Sequence, residues 1–267
     1  MTDSYTLERD TSPLLISMPH IGTELPEALK AGMSETAWQL DDTDWHIERL
    51  YGFARQLGAS ILQPRYSRYV IDLNRPPDDA SLYPGQNTTG LCPSTTFDGV
   101  PLYRDGYAPD AAEVARRRAL YWQPYHDALA AELARLRAEH GVVRLWDAHS
   151  IRSQVPRLFD GELPVFNLGT ASGAACGAGL GEALLARLGA SAPHQPAVLN
   201  GRFKGGYITR AHGAPRQGVH AVQLELAQRS YMEEQPPYGY DTVRAQALQA
   251  VLADLLSQFL AWQPAPH

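Results

Sequence analysis

Short apolar runs alternating with stretches of helical spacing are the feature that most constrains how this chain can fold. Pro13-Leu14-Leu15-Ile16-Ser17-Met18 is an apolar run stopped by Pro19. Ala59–Gln63, Ser67–Leu73, Val142–Trp146, Pro164–Leu168 and Val219–Leu226 are further runs of the same kind, and each reads as a strand. Between them, Asp44–Leu57 puts Leu50, Phe53, Ala54 and Leu57 on one helical face, with Asp44 at the N-cap or in the first turn and Gly58 closing the helix. Pro109, at the N1 position, opens a long helix to about His140 that Gly141 ends. The small-residue stretch Gly169–Gly181 leads into a helix at Glu182–Leu188, and Asp241–Trp262 is a terminal amphipathic helix. Strands alternating with helices predict an α/β sheet with helices on both faces. With no internal repeat and no low-complexity linker, residues 1–267 read as a single domain.

Composition narrows the class. A chain of 267 residues that is 44% hydrophobic can build a full core. No apolar run reaches the roughly 18 residues a membrane span requires. A net charge of −6 without a basic block argues against nucleic acid or an anionic membrane as partner. The polar start, Met1-Thr-Asp-Ser-Tyr-Thr-Leu-Glu-Arg-Asp10, does not look like a secretory leader. Cys92 and Cys176 alone make neither a disulfide framework nor a zinc knuckle, so a soluble cytoplasmic protein is expected. Asn74–Tyr107 lacks periodicity and is studded with Pro, Gly, Asn and Thr. Its Leu82, Tyr83, Leu91, Phe97, Leu102 and Tyr103 favour an ordered covering loop, and loops of this length are commonly functional.

Chemistry-bearing residues sit where the strands end, which is where α/β sheets build their sites. The first strand runs into His20, Val142–Trp146 into Asp147 and His149, and Ser67–Leu73 into Asn74-Arg75, while Val219–Leu226 carries Glu225 near its end. Two histidines and a carboxylate on different elements suit a catalytic zinc with one position open to water. Asp44 is the preferred third ligand, with Glu24, His46 and Asp147 as alternatives; Asp147 could instead orient an imidazole. Each of these residues also has a plainer reading, His20 or His149 as a hydrogen-bonded loop residue and Asp44 as a helix cap. Glu225 is the hardest to explain that way, because a carboxylate among core-like strand neighbours is costly unless paired, protonated or near a metal. There is no Gly-x-Ser-x-Gly elbow and no P-loop. His126 and His140 are expected on a solvated helix face, and His194 and His267 in a loop and the tail.

Ser17-Met-Pro-His-Ile-Gly-Thr-Glu-Leu-Pro26, Asp42-Thr-Asp-Trp-His-Ile-Glu-Arg-Leu-Tyr51 and Ser67-Arg-Tyr-Val-Ile-Asp-Leu-Asn-Arg-Pro76 resemble stretches of the N-formylglutamate amidohydrolases, distant relatives of zinc carboxypeptidases and aspartoacylases. Leu145-Trp-Asp-Ala-His-Ser150, Gly205-Gly-Tyr-Ile-Thr-Arg210 and Val222-Gln-Leu-Glu-Leu226 extend the resemblance in order over roughly residues 13–235. Ala211-His212-Gly213 departs from the expected pattern. The resemblance implies a single-domain, zinc-carboxypeptidase-like mixed sheet flanked by helices, and the loop at about 76–107 is expected, from its length and apolar content, to cover the site. It maps the zinc ligands to His20, Asp44 and His149, the general base to Glu225, and the substrate-holding groups to Arg68, Asn74 and Arg75, with Arg210 as a further carboxylate clamp. Arg75 or Arg68 would also stabilise the oxyanion. The implied reaction is hydrolysis of N-formyl-L-glutamate, a small dianion, to formate and L-glutamate, as in bacterial histidine breakdown. Another N-acyl amino acid as substrate is the alternative, and a non-enzymatic binder of a small acidic ligand is the third reading; metal content would separate that one from an enzyme.

Overall fold

The structure, a computed structural model, describes residues 4–83 and 85–263. Its strands are β1 (Tyr5–Glu8), β2 (Leu14–Ser17), β3 (Ser60–Pro64), β4 (Val143–Ile151), β5 (Phe166–Gly169), β6 (Ala197–Leu199) and β7 (Val219–Ala227). Its helices are α1 (Glu27–Lys30), α2 (Ile47–Leu50), α3 (Ala111–Arg117), α4 (Gln123–His140), α5 (Leu180–Ser191), α6 (Tyr207–His212) and α7 (Thr242–Ala261). The strands form one mixed sheet of order β1-β3-β2-β4-β7-β5-β6. β3, β2, β4 and β7 run parallel, whereas β1 is antiparallel to β3 and β5 to β7.

The side-chain period of two sorts residues between the faces. Leu14, Ile16, Trp146, Ala148, Val222 and Leu224 pack with α2, α5 and α7 in one core. Leu15, Val143, Leu145, Val219 and Ala221 point the other way, into a second core with α4. Each fully buried aliphatic side chain contributes about 1.5–3 kcal/mol relative to exposure, so both helical layers are held mainly by these alternating residues. Along the α4 face the strands turn polar toward their C-terminal ends. Leu15 is followed by Ser17, Leu145 by Asp147 and His149, and Ala221 by Gln223 and Glu225. The register sets Ser17 beside Asp147, Asp147 beside Gln223, and His149 beside Glu225. The site is therefore the polar end of an otherwise apolar sheet face.

Several local expectations change. Ser67–Leu73 is not a strand: Val70 N donates to Ser67 O and Asp72 N to Leu91 O, which folds the segment into turns. Val70 and Ile71 still reach the α4-side core, so burial is satisfied without sheet pairing. The helix expected over Asp44–Leu57 is only α2, followed by a 3-10 stretch at Gly52–Leu57. His46 takes its N-cap position with φ 63°, so Asp44 is not the cap. The helix after Pro109 begins at Ala111, capped by Asp110, and passes through a π-helical turn at Arg118–Trp122 before ending at His140, with Gly141 at φ 74°. β4 runs on to Ile151, so His149 lies within the strand rather than beyond it. β1 and β6 carried no clear periodic signal. His126 is buried rather than solvated, with Nε2 donating to Leu73 O at 2.9 Å and Trp122 stacked on its ring. His194 is exposed in a loop, and His267 lies outside the described residues.

Candidate metal centre and active site

Four elements converge at the polar end of the sheet. His20 follows β2, Asp44 precedes α2, His149 is on β4 and Glu225 on β7. All four are buried. The ligand-capable atoms of His20, Asp44 and His149 lie within 4.8 Å of one another. His149 Nδ1 is 3.2 Å from His20 Nδ1 and 3.1 Å from Asp44 Oδ2.

The outer partners fix which edge of each imidazole faces inward. His20 Nε2 lies 2.8 Å from Asp72 Oδ1, and His149 Nε2 lies 3.1 Å from Asp147 Oδ1. Asp72 holds the proton on His20 Nε2 and turns the His20 Nδ1 lone pair inward, while Asp147 Oδ1 and Asn74 Nδ2 both lie behind His149 Nε2 and leave its Nδ1 edge facing the same point. Both Nδ1 edges and Asp44 Oδ2 thus crowd one buried point. Asp44 Oδ1 is buried with no hydrogen-bond partner beside the same point, while Ser150 N anchors Oδ2 at 3.1 Å. Two nitrogens and a carboxylate with one orphaned oxygen fit a divalent transition metal of the zinc type. The alternative ligands are elsewhere. Glu24 is exposed and pairs with Arg65, His46 Nε2 donates to Tyr238 O, and Asp147 stands behind His149.

Local electrostatics follow from burial and these neighbours. Burial and the Arg68 charge hold His20 below the usual histidine range despite Asp72 and Asp44. Burial also works against protonation of His149, but Asp147 outweighs it with help from Asp44 and Glu225, and the imidazole is raised well above its usual range. Burial pushes the Glu225 carboxyl up to about 8, with Asp44 and Asp147 adding to the rise and His149 and Arg68 opposing it. Asp72, although fully buried, is held well below the usual carboxylate range by His20, Arg68 and Arg75.

A cleft of about 580 Å³, counting its open mouth, leads to this centre. His20, Arg68, Asn74, Arg75, His149 and Glu225 line it. Asn74 Nδ2 lies 2.9 Å from His149 Nε2, and its Oδ1 accepts from Ile208 N on α6. Arg68 donates to Asp72 Oδ2 at 2.6 Å, stacks on Phe97, and brings Nη1 to 3.2 Å from His20 Nδ1. Arg75 is held by Thr89 O, Thr89 Oγ1 and Asn74 O. The long loop supplies Tyr83, Asn87, Thr88, Thr89 and Phe97 to the wall.

Arg210 lies apart from the lining: it is exposed, donates to Gly205 O, and packs over Tyr83. His212 also lies outside it, beside His126. The cleft contains instead Arg202 and Gln223, which no motif reading singled out. Gln223 shares the parity of Glu225 on β7, a signal the sequence does carry. Arg202 sits in an irregular segment and carries none.

Comparison with known proteins fits this architecture. The chain is 58% identical over 262 residues to the N-formylglutamate deformylase of Pseudomonas aeruginosa, covering 98% of each. It is 56% identical over 250 residues to the enzyme of the same name from Pseudomonas putida, covering 94% of this chain and 93% of that one. Among solved structures, an N-formylglutamate amidohydrolase from Ralstonia eutropha shares the fold, with TM-score 0.78 at 24% identity and 96% of both chains covered. A gene product of Agrobacterium tumefaciens shares it as well, with TM-score 0.72 at 19% identity, covering 97% of this chain and 95% of that one. Residues 12–232 match the N-formylglutamate amidohydrolase family model, and with the near full-length relatives this establishes that the chain belongs to that family.

Proposed function

We propose that this chain hydrolyses N-formyl-L-glutamate to formate and L-glutamate with one divalent cation, zinc, held by His20, Asp44 and His149. The observation that carries the reading is the buried triad with its inward Nδ1 edges beside Glu225, in a chain 58% identical to a protein named for this reaction. A histidine-breakdown role, a cytoplasmic location and a single catalytic domain accompany it. Among the described residues no helix is long and apolar enough to cross a membrane.

A bound divalent cation supplies polarisation of the formyl oxygen and acidifies the attacking water. Glu225 accepts the proton that water loses as its oxygen bonds to the formyl carbon. The same carboxyl then protonates the departing amine as the C–N bond breaks, so one group serves as base and then acid. A carboxyl raised by burial is suited to the second task, since it holds a proton it can return. Arg68, its Nη1 against the triad, meets the charge developing on the formyl oxygen. Arg75 presents a planar fork to a substrate carboxylate, and Asn74 positions His149 and the 206–208 backbone. The 76–107 loop closes the cleft against bulk water.

Formate release from N-formyl-L-glutamate by purified protein, before chelation, after it, and after zinc is restored, tests the reading. Release that stops on chelation and returns with zinc is expected. No release by folded, zinc-loaded protein would overturn the substrate, and release indifferent to chelation would overturn the metal.

A further inference from the structure

The cleft holds three guanidinium groups, and they differ in how their charge is met. Arg68 is neutralised by Asp72 at 2.6 Å. Arg75 has Asp72 only at 4.0 Å, and that carboxylate is already engaged by Arg68 and His20. Arg202 is held by neutral oxygens alone: Nε donates to Leu158 O at 2.9 Å and Nη2 to Asn87 O at 3.0 Å. Among the described residues no carboxylate pairs with Arg202. Its guanidinium lies against the Tyr83 and Phe203 rings, at 5.7 and 5.3 Å from their centroids. These contacts fix the fork in place while leaving its charge uncompensated.

Their surroundings separate Arg75 from Arg202. Arg75 adjoins Asn74, whose amide touches His149, so it stands at the reacting end. Arg202 is held between the long loop at Asn87 and the Leu158 segment, by contacts that Arg75 does not share. Burial lowers the Arg202 pKa, with Tyr83 and Glu225 opposing the fall and the Arg75 charge adding to it. A cleft with one guanidinium that no carboxylate meets and a second that only a shared carboxylate meets at 4.0 Å, in a protein of net charge −6, is built for an anion with two separated charges.

We infer that Arg202 is a specificity-determining residue: it binds the distal, side-chain carboxylate of the substrate, and together with Arg75 it restricts the site to dicarboxylates. This rests on the hydrolytic reading for the identity of the substrate, but the charge preference itself does not. A neutral side chain in this place leaves a half-buried cation without its partner, which is the kind of mismatch that discriminates strongly.

The test pairs an isosteric dianion and monoanion, glutarate and its monoamide glutaramate, in calorimetric binding to zinc-loaded wild type, Arg202→Gln and Arg202→Lys. N-formyl-L-glutamate and N-formyl-L-glutamine are run in parallel as substrates. Wild type is expected to favour the dianion at least about tenfold in both comparisons; Arg202→Gln should erase the preference, and Arg202→Lys should keep part of it. A preference unchanged in Arg202→Gln, with unfolding midpoint and zinc content as in wild type, would overturn the inference. Equal loss on both members of each pair would also overturn it, since that marks a structural role. If glutarate selectivity depends on Arg202 but wild type hydrolyses neither formyl compound, the inference stands and the proposed reaction falls.

Discussion

Replacing Asp72 with Asn tests whether the carboxylates behind the histidines organise the centre. Asp72 has no exposed surface and accepts from three donors: His20 Nε2 at 2.8 Å, Arg68 Nη2 at 2.6 Å and Asn74 N at 2.8 Å. Asn preserves the shape but removes the charge that pairs with Arg68 and turns an amide N–H₂ toward one of those donors. Stripping one partner from a buried ion pair costs about 3–5 kcal/mol because the remaining charge stays desolvated. The same change frees His20 to turn or to change tautomer, and loss of such a histidine partner weakens metal binding about 10–100-fold. Two assays separate the effects: urea unfolding of chelated protein reads the ion pair, and competition with a chromophoric chelator reads zinc affinity. A variant within about 1 kcal/mol of wild type, the range of an ordinary surface change, would refute the view that Asp72 anchors Arg68. Zinc affinity unchanged within threefold of wild type, taking about tenfold as the smallest expected loss, would remove it as the group orienting His20.

Glu225→Gln should retain zinc and fold yet lose about 10²–10⁴-fold in kcat, the usual worth of a positioned acid–base group; near-normal turnover would take Glu225 out of the reaction. Arg75→Ala should raise KM, lower kcat, or both, with kcat/KM falling by about 30-fold or more, as for loss of a charged hydrogen-bonded contact; wild-type kinetics would exclude it from the cleft's function. His220 gives a pH signature remote from the cleft. Its Nδ1 accepts from Gly177 N at 2.9 Å, and burial and Arg144 lower its pKa to about 4. Because the folded value is depressed, the unfolded chain binds the proton first. This contribution is whole above the unfolded value of about 6.5 and is lost as pH falls toward the folded one, at about 1.4 kcal/mol per pH unit. Urea unfolding of wild type and His220→Gln at pH 7.5 and pH 5 should show the gap shrink by about 2 kcal/mol, and a gap independent of pH would contradict the assignment.

Periodicity made most of the sheet and the terminal helix legible. β2, β3, β4, β5, β7 and α7 all fall close to where their apolar runs place them, because a buried strand or an amphipathic helix writes its own period into the chain. The turn of Val70 and Ile71 away from sheet geometry was not legible, since β-branched residues are equally content in any buried extended or turned segment that packs well. Strand parity also signals part of the site. Asp147 and His149, like Gln223 and Glu225, must share a face, so a polar end to an apolar face is implied by sequence alone.

Which of these groups meet was decided by tertiary structure. The β4–β7 register brings His149 beside Glu225, and packing of irregular segments carries Asp44 to His149 and sets Asp72 behind His20. Arg210 and Arg202 make the contrast plainest. Arg210 stands within a recognisable motif yet is not among the residues lining the cleft, packing instead over Tyr83, while Arg202 stands in no motif and lines it. Strand side chains alternate by a local geometric rule and can be assigned from the chain itself. Side chains on loops point wherever distant contacts such as Leu158 O and Asn87 O hold them, and that information appears only once the chain has folded.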